Sequence, residues 1–292
     1  MVPDTIFAPA KLNLHLSVLD KRSDGFHNLE SIFLAVDLCD TLHFEPSGNV
    51  NLAEIQINWD ENIQPEVIPL EKNIIYKTLS LFREKTGYVQ GFKIDVEKKI
   101  PAGSGLGGGS SDAASALLFI NEFAGFPLKQ QQLYETAGML GSDVPFFIRR
   151  TAAALVTGRG ECITPINAPD CFIVLVNPGF PSDTASAFNL LDEYRIRENL
   201  FKTSRLSDFD SQNHLFRLFS LNLQNDFLDI LPEKKNYYRI IGCLKEAGAE
   251  FAGLSGTGST CFGIFFEKMQ AQKAVVYMNS EYRFVKCCNI VY

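Results

Sequence analysis

Long apolar runs are missing from this sequence. Stretches such as Phe172-Ile-Val-Leu-Val stop after a few residues, well short of the roughly 20 that a membrane helix needs. No leader is visible either, because structural patterning starts within the first ten residues. No signal or transit peptide is therefore expected, and the cytoplasm is the expected compartment. A basic excess is lacking: 27 Lys and Arg face 34 Asp and Glu, a net charge of −7, and the sequence pI is near 5.2. That balance argues against non-specific binding to nucleic acid or to an anionic membrane. C-x-x-C spacing is absent too. The seven cysteines (Cys39, Cys162, Cys171, Cys243, Cys261, Cys287 and Cys288) are an odd set, which speaks against a disulfide framework and a zinc site. Most read as buried small hydrophobes in a reducing compartment. What remains is an ordinary globular composition, 46% hydrophobic and 21% charged over 292 residues, long enough for two domains or lobes.

The densest signal is Lys99-Ile-Pro-Ala-Gly-Ser-Gly-Leu-Gly-Gly-Gly-Ser-Ser-Asp-Ala-Ala, ending at Ala114. Phe92, Ile94 and Val96 alternate with polar residues before it, which is strand period. Ala113, Ala114, Ala116, Leu117 and Ile120 follow at helix spacing, and Ser110, Ser111 and Asp112 suit a helix start. A strand, a glycine loop and a helix N-terminus together suit a phosphate chain. Glycine lets bare N–H groups approach an anion, and the helix end adds free donors and a positive dipole. Ser110 and Ser111 offer hydroxyls to a phosphate oxygen or a magnesium ion. A linker or a tight structural turn is the plain alternative, but five glycines between a strand and a helix are too ordered for a linker.

Absences again narrow the choice. No lysine follows the glycines, so the loop is not a Walker A loop. Gly103-x-Gly105-x-x-Gly108 fits the dinucleotide fingerprint, but the second strand ending in an acid about 20 residues on is missing. The V-A-I-K, H-R-D and D-F-G segments of protein kinases are missing as well.

Several other stretches carry chemistry-bearing side chains. From Leu12 to Val18 every second residue is apolar, and Lys11, Asn13 and His15 share the opposite strand face; a solvated polar face is the simple reading. Asp24-Gly25 signals a turn, after which Phe26 and His27 present a flat ring and a hydrogen-bonding edge, or merely an incidental histidine on a surface turn. Residues 32–37 and 41–45 read as strands, residues 40–60 as a hairpin region, and Ser47-Gly48-Asn49 as a turn. A helix is predicted from Asn73 to Gly87 and another over 128–140. Asp143 precedes Pro145 and suits an N-cap as well as a catalytic role. Strands are predicted over 152–156 and from Cys171, with a turn at 157–161 between them. Thr184 and Phe188 stand at a possible helix start, where Phe188 could be simply a core residue. A loop is predicted over 197–213. Tyr237, Ile241, Leu244 and Gly248 share a helix face. Gly253-Leu-Ser-Gly-Thr-Gly is a second glycine-rich loop, readable as a tight turn between helix and strand. A helix over 268–279 and a strand over 282–292 close the chain.

The glycine loop resembles that of the GHMP kinases, P-x-x-x-G-L-G-[GS]-[GS]-[SA]-[SA]. Ala8-Pro-Ala-Lys-Leu-Asn-Leu resembles the first motif of that superfamily, and Leu254-Ser-Gly-Thr-Gly its third. The resemblance implies a two-lobed α+β fold with the active site in the cleft: a ribosomal-protein-S5-domain-2-like N-terminal lobe (1–160) and a ferredoxin-like C-terminal lobe (161–292). It implies ATP as phosphoryl donor with Mg²⁺. The nucleotide would be held by Pro101, Ala102, Gly103, Ser104, Gly105, Leu106, Gly107, Gly108, Gly109, Ser110 and Ser111, with Lys98 just before them and Asn73 and Ile74 near the adenine. The metal ligands are unknown, with Ser110 or Ser111 as candidates. Gly141-Ser-Asp-Val-Pro resembles the segment that carries the proposed catalytic base, which implies Asp143 as base paired with Lys11. The wording Arg22-Ser-Asp-Gly-Phe-His resembles a branch whose substrate is a cytidine diphosphate alcohol, 4-diphosphocytidyl-2-C-methyl-D-erythritol, in non-mevalonate isoprenoid synthesis. The substrate residues so implied are Asn13, Phe26, His27, Thr184, Phe188, Gly256 and Gly258. The partners are then small molecules, with no nucleic acid or membrane, and the chain a monomer or homodimer. A homoserine or mevalonate type of GHMP kinase, or a nucleotide-binding module without catalysis, are the competing readings.

Overall fold

The computed structural model describes residues 5–48, 52–200 and 223–292. Asn49 of the expected turn and 201–213 of the expected loop lie outside them. The chain forms two compact units that interleave in sequence. One comprises the described parts of Met1–Ala10, Leu38–Ala102 and Gly107–Arg150; the other comprises Lys11–Asp37, Gly103–Leu106 and those of Thr151–Tyr292. The division at residue 160 is a proposal about sequence halves rather than about these units.

Strand β1 (Thr5–Lys21) pairs with β2 (His27–Ser47), and each strand contributes to both units. The two strands expected over 32–45 are one continuous strand. In the first unit the C-terminal part of β2 pairs antiparallel with β4 (Gly91–Lys98), His43 opposite Asp95. β4 pairs in parallel with β3 (Ala53–Trp59), Ile55 opposite Ile94. The expected hairpin over 40–60 is therefore absent, because β4 lies between β2 and β3. Parallel neighbours need a crossover, and α1 (Ile74–Thr86) supplies it, capped by Asn73 and ended by Gly87. The alternation in β4 buries Phe92, Ile94 and Val96, and the Phe92 ring meets Phe119 and Phe123 of α2 (Gly108–Phe123). Phe44 stacks on Phe119 at 4.2 Å, with the Phe92 ring edge-on to both. Helices α3 (Gln130–Leu140) and α4 (Val144–Arg149) complete this unit.

In the second unit the N-terminal part of β2 pairs with β5 (Ala153–Thr157), which turns back into β6 (Cys162–Ile166). The sequence reading misses β6, a mostly exposed strand without clean alternation. A separate sheet has the order β10-β7-β9-β8, formed by β7 (Phe172–Asn177), β8 (Phe251–Leu254), β9 (Cys261–Phe265) and β10 (Phe284–Asn289). Numbered within the sheet that order is 4-1-3-2, and with its helices it gives a ferredoxin-like arrangement. Helices α5 (Thr184–Glu198), α6 (Lys234–Glu246) and α7 (Lys268–Met278) accompany it. Tyr237, Ile240, Ile241 and Leu244 bury one face of α6, and Ala271, Ala274 and Met278 one face of α7. The second glycine loop joins two strands, β8 and β9, not a helix and a strand. Only Cys171, Cys261 and Cys288 of the seven cysteines are buried, fewer than expected. No helix among the described residues is long and apolar enough to cross a membrane.

Candidate active site

The polar face of β1 is not solvated. Lys11, Asn13, His15 and Ser17 are all buried, and burial of such groups requires partners. Lys11 Nζ donates to Asn13 Oδ1 at 2.6 Å, and Asn13 Nδ2 donates to Ser31 Oγ at 2.9 Å. Ser31 in turn donates to the His15 carbonyl. The Lys11 ammonium also sits 4.6 Å from the Phe33 ring centroid. A strand that buries both faces thus holds its lysine and asparagine in one orientation.

The middle of the first glycine loop is tied to this strand and to the second loop. Lys11 N–H donates to the Leu106 carbonyl at 2.9 Å. Ser255 Oγ donates to the Gly105 carbonyl at 2.9 Å and accepts from Asn13 N–H at 3.1 Å. Gly105 has φ +77°, and a Cβ there would lie 2.1 Å from the Ser255 carbonyl oxygen. Only glycine allows that approach. Thr260 N–H donates to the Ser104 carbonyl, and Ser182 N–H to that of Gly103. Asn225 braces the second loop through the Leu254 and Gly256 carbonyls. A Cβ at Gly256 would meet Asn13 Oδ1 at 3.4 Å, and one at Gly258 the Tyr237 hydroxyl at 3.0 Å. Lys11, Asn13, Gly103, Ser104, Gly105, Leu106, Gly256 and Gly258 are therefore one cluster. Ser31, Ser255 and Asn225 are its supports. Ser255 stood inside the quoted third motif; nothing local marked Ser31 or Asn225.

A second cluster in the same unit joins His27 and Phe188, with Phe26 preceding His27 in the chain. The His27 and Phe188 rings stack at 5.3 Å and 24°. His27 Nε2 lies 2.7 Å from Asp192 Oδ1, and Lys21 Nζ donates to Asp192 Oδ2 at 2.6 Å. Burial raises the Asp192 pKa, but the hydrogen bonds from Lys21 and His27 outweigh it and hold the carboxyl below its ordinary value. Phe26 is 49% exposed, with Arg159 over its ring at 4.9 Å. Thr184 is exposed, its hydroxyl 3.3 Å from that of Thr257. Asp192 went unnoticed in the sequence, although Thr184, Phe188 and Asp192 are four residues apart on α5 and so share a face.

The first unit holds the remaining candidates. Gly107 caps α2 with φ +69°, and Gly108, Gly109, Ser110 and Ser111 form its first turn. A Cβ at Gly109 would lie 3.8 Å from Ile74 Cγ2, so Ile74 flanks this turn. Asn73 Oδ1 accepts from Ile75 N–H at 2.8 Å, a helix cap. Pro101 and Ala102 lead from β4 into the loop. Lys98 continues the inward parity of β4, where its ammonium pairs with Asp112 at 2.6 Å and with Asp40. Asp40 also accepts from the N–H groups of Lys99 and Ile100, at 2.6 and 2.8 Å. Burial disfavours the Lys98 charge, but the two carboxylates outweigh it and raise its pKa. Burial drives Asp112 up to about 7, with Lys98 opposing and Asp40 adding to the rise. Two carboxylates share one cation, so one of them keeps its proton readily. Asp143 stands at the N-cap position of α4, but its side chain makes no capping bond, so capping does not account for the residue. A Cβ at Gly141 would lie 3.9 Å from Ser110 Oγ, which brings the turn before Asp143 beside the first turn of α2.

Residues 73–150 match the GHMP kinases N terminal domain, and residues 196–283 match the GHMP kinases C terminal domain. The chain is 37% identical over 283 residues to the 4-diphosphocytidyl-2-C-methyl-D-erythritol kinase of Thermodesulfovibrio yellowstonii, covering 94% of this chain and 93% of that one. The chain belongs to the GHMP kinase family.

A chloroplastic 4-diphosphocytidyl-2-C-methyl-D-erythritol kinase of Mentha piperita is 34% identical, over 89% of this chain and 63% of its own length. A crystal structure of 4-(cytidine 5'-diphospho)-2C-methyl-D-erythritol kinase superposes on this GHMP kinase with a TM-score of 0.77 at 27% identity, covering 98% and 99% of the two chains. The mevalonate kinase of L. major gives 0.71 at 17% identity, over 99% and 96%, a likeness of fold. The two-lobed GHMP fold expected from the sequence is thus the fold of this kinase, and ATP is the phosphoryl donor of its family.

Proposed function

We propose that this kinase transfers the γ-phosphoryl group of ATP to the 2-hydroxyl of 4-diphosphocytidyl-2-C-methyl-D-erythritol, giving the 2-phosphate and ADP in non-mevalonate isoprenoid synthesis. The observation that carries this is the 37% identity, over 94% of this chain, to a kinase of that name. The stacked His27–Phe188 pair and the exposed Phe26 ring add support, being chemistry suited to a flat base with a polar edge. Homoserine and mevalonate kinases are similar only at the level of fold. The cytoplasm is the compartment this reading implies.

In the reaction, Asp143 takes the proton of the 2-hydroxyl, a general-base role worth roughly 10²–10⁴-fold. The freed oxygen attacks the γ-phosphorus, and the bond to the bridging oxygen of ADP breaks. Lys11, oriented by Asn13, stabilises the negative charge spread over the phosphoryl oxygens. The N–H groups of the glycine loop and of the first turn of α2 bind the phosphates, with Asn73 and Ile74 toward the adenine. Lys98 acts from behind, holding Asp40 and Asp112 at the root of the loop. No group of three His, Cys, Asp or Glu suited to a metal occurs among the described residues. Mg²⁺ carried in with ATP would be held by the hydroxyl of Ser110 or by the buried, unpartnered one of Ser111. When bound, it neutralises phosphate charge. Thr184, Gly256 and Gly258 line the acceptor side.

ADP release tests this, measured with Mg-ATP and the cytidylated diol beside homoserine, mevalonate and the diol without cytidine. Release with the cytidylated diol alone is expected; release with another alcohol instead would refute the substrate. Asp143→Asn should abolish turnover while ATP still binds, and near-normal turnover would remove Asp143 as the base.

A further inference from the structure

Asp192 lies outside the loops that bind and transfer phosphate, yet it touches the side chain most suited to reading a base. Its two carboxylate oxygens have different partners: Oδ1 meets His27 Nε2 at 2.7 Å and Oδ2 takes the Lys21 ammonium at 2.6 Å. The Phe188 ring lies flat against the imidazole. The His27 side chain is 6% exposed, so its ring has little freedom to turn. Its other nitrogen, Nδ1, makes no hydrogen bond among the described residues.

This geometry has a chemical consequence. An ionised carboxylate only accepts, so in the neutral imidazole the proton must sit on Nε2. Nδ1 is then an acceptor with a fixed direction. Cytosine carries a donor, the exocyclic amino group, where uracil carries a carbonyl oxygen. An acceptor aimed at that position pairs with the first and repels the second.

We infer that Asp192 is a positioning residue that fixes the tautomer of His27, so that Nδ1 accepts from the amino group of cytosine and excludes uracil. The inference rests on the cytidine reading of the substrate proposed above and deepens it. Lys21 has a part as well, because it decides what an amide does in place of the carboxylate. In Asp192→Asn the amide oxygen must face the Lys21 ammonium, which can only donate. The amide NH₂ then faces Nε2 and forces the proton to Nδ1, turning the acceptor into a donor.

The test combines a spectroscopic and a kinetic readout. Nitrogen-15 NMR of the imidazoles should report the Nε2–H tautomer for His27 in the wild-type protein and Nδ1–H in Asp192→Asn. The KM for the cytidylated substrate should rise roughly tenfold to a hundredfold, the size of one mispaired hydrogen bond, with kcat little changed. Preference over the uridylated analogue should fall by at least the same factor. In the double variant Lys21→Met with Asp192→Asn the amide is free to flip, and part of the Nε2–H signal and of the preference should return. An unchanged tautomer or an unchanged preference in Asp192→Asn would overturn the inference while leaving the cytidine substrate intact. A wild-type enzyme that uses both nucleotides equally would instead overturn the cytidine reading, and this inference with it.

Discussion

Two glycines of the same loop should respond in opposite ways to alanine. At Gly105 the backbone has φ +77°, and the added Cβ would lie 2.1 Å from the Ser255 carbonyl oxygen, 2.9 Å from its carbon and 3.0 Å from the Gly258 oxygen. The left-handed conformation costs an L-residue about 1–2 kcal/mol, and overpacking against backbone costs about 1–3 kcal/mol. Gly105→Ala should therefore lose about 2–5 kcal/mol. The neighbours cannot yield cheaply, because Ser255 Oγ holds the Gly105 carbonyl and Thr260 N–H holds that of Ser104. At Gly109 the nearest atom is Ile74 Cγ2 at 3.8 Å, and the residue is within α2. Alanine there should gain about 0.5–1 kcal/mol. Urea unfolding followed by circular dichroism reads both. Turnover should also fall in Gly105→Ala, because Lys11 N–H is tied to the adjacent Leu106 carbonyl. A displacement near 1 Å is worth about 10²-fold. A Gly105→Ala enzyme with wild-type midpoint and wild-type turnover would refute the reasoning.

Asp112 makes stability depend on pH with a definite sign. Its folded pKa is raised from the ordinary 3.8 to about 7, so the folded state holds a proton that the unfolded state has lost, and stability falls as pH rises through that window. Asp112→Asn should remove this slope, seen as unfolding midpoints that gain on wild type between pH 4 and pH 7; parallel curves would contradict it. Asn73→Ala removes the cap of α1 and should cost about 1 kcal/mol, which Asn73→Asp should restore in the same thermal melt. Ser255→Ala leaves the Gly105 carbonyl and Asn13 N–H without their buried partner and should cost about 1–3 kcal/mol, with turnover falling alongside.

Much of this kinase was legible because its signals are local. A helix that starts at Asn73 and stops at Gly87, a strand with Phe92, Ile94 and Val96 on one face, and a glycine loop opening α2 each follow from neighbours in the chain. The family motifs pointed to Lys11, Asn13 and Asp143 by identity alone. Strand order was not legible: Ile55 and Ile94 alternate equally well in a hairpin or beside a crossover, and only the insertion of β4 between β2 and β3 decides. The weak β6 and the strand-to-strand course of the second glycine loop escaped for the same reason.

Burial of polar side chains was the other thing tertiary structure decided. Period two placed Lys11, Asn13 and His15 on one face, but it could not say that this face is covered. Partners for the buried groups come from far along the chain: Ser31 and Ser255 for Asn13, Asp40 for Lys98, Asp192 for His27. A hydrogen bond or ion pair depends on distance in space, whereas residue identity and spacing act along the chain. The sequence by itself therefore determined which chemistry this protein carries, and the tertiary structure determined which groups hold it in place.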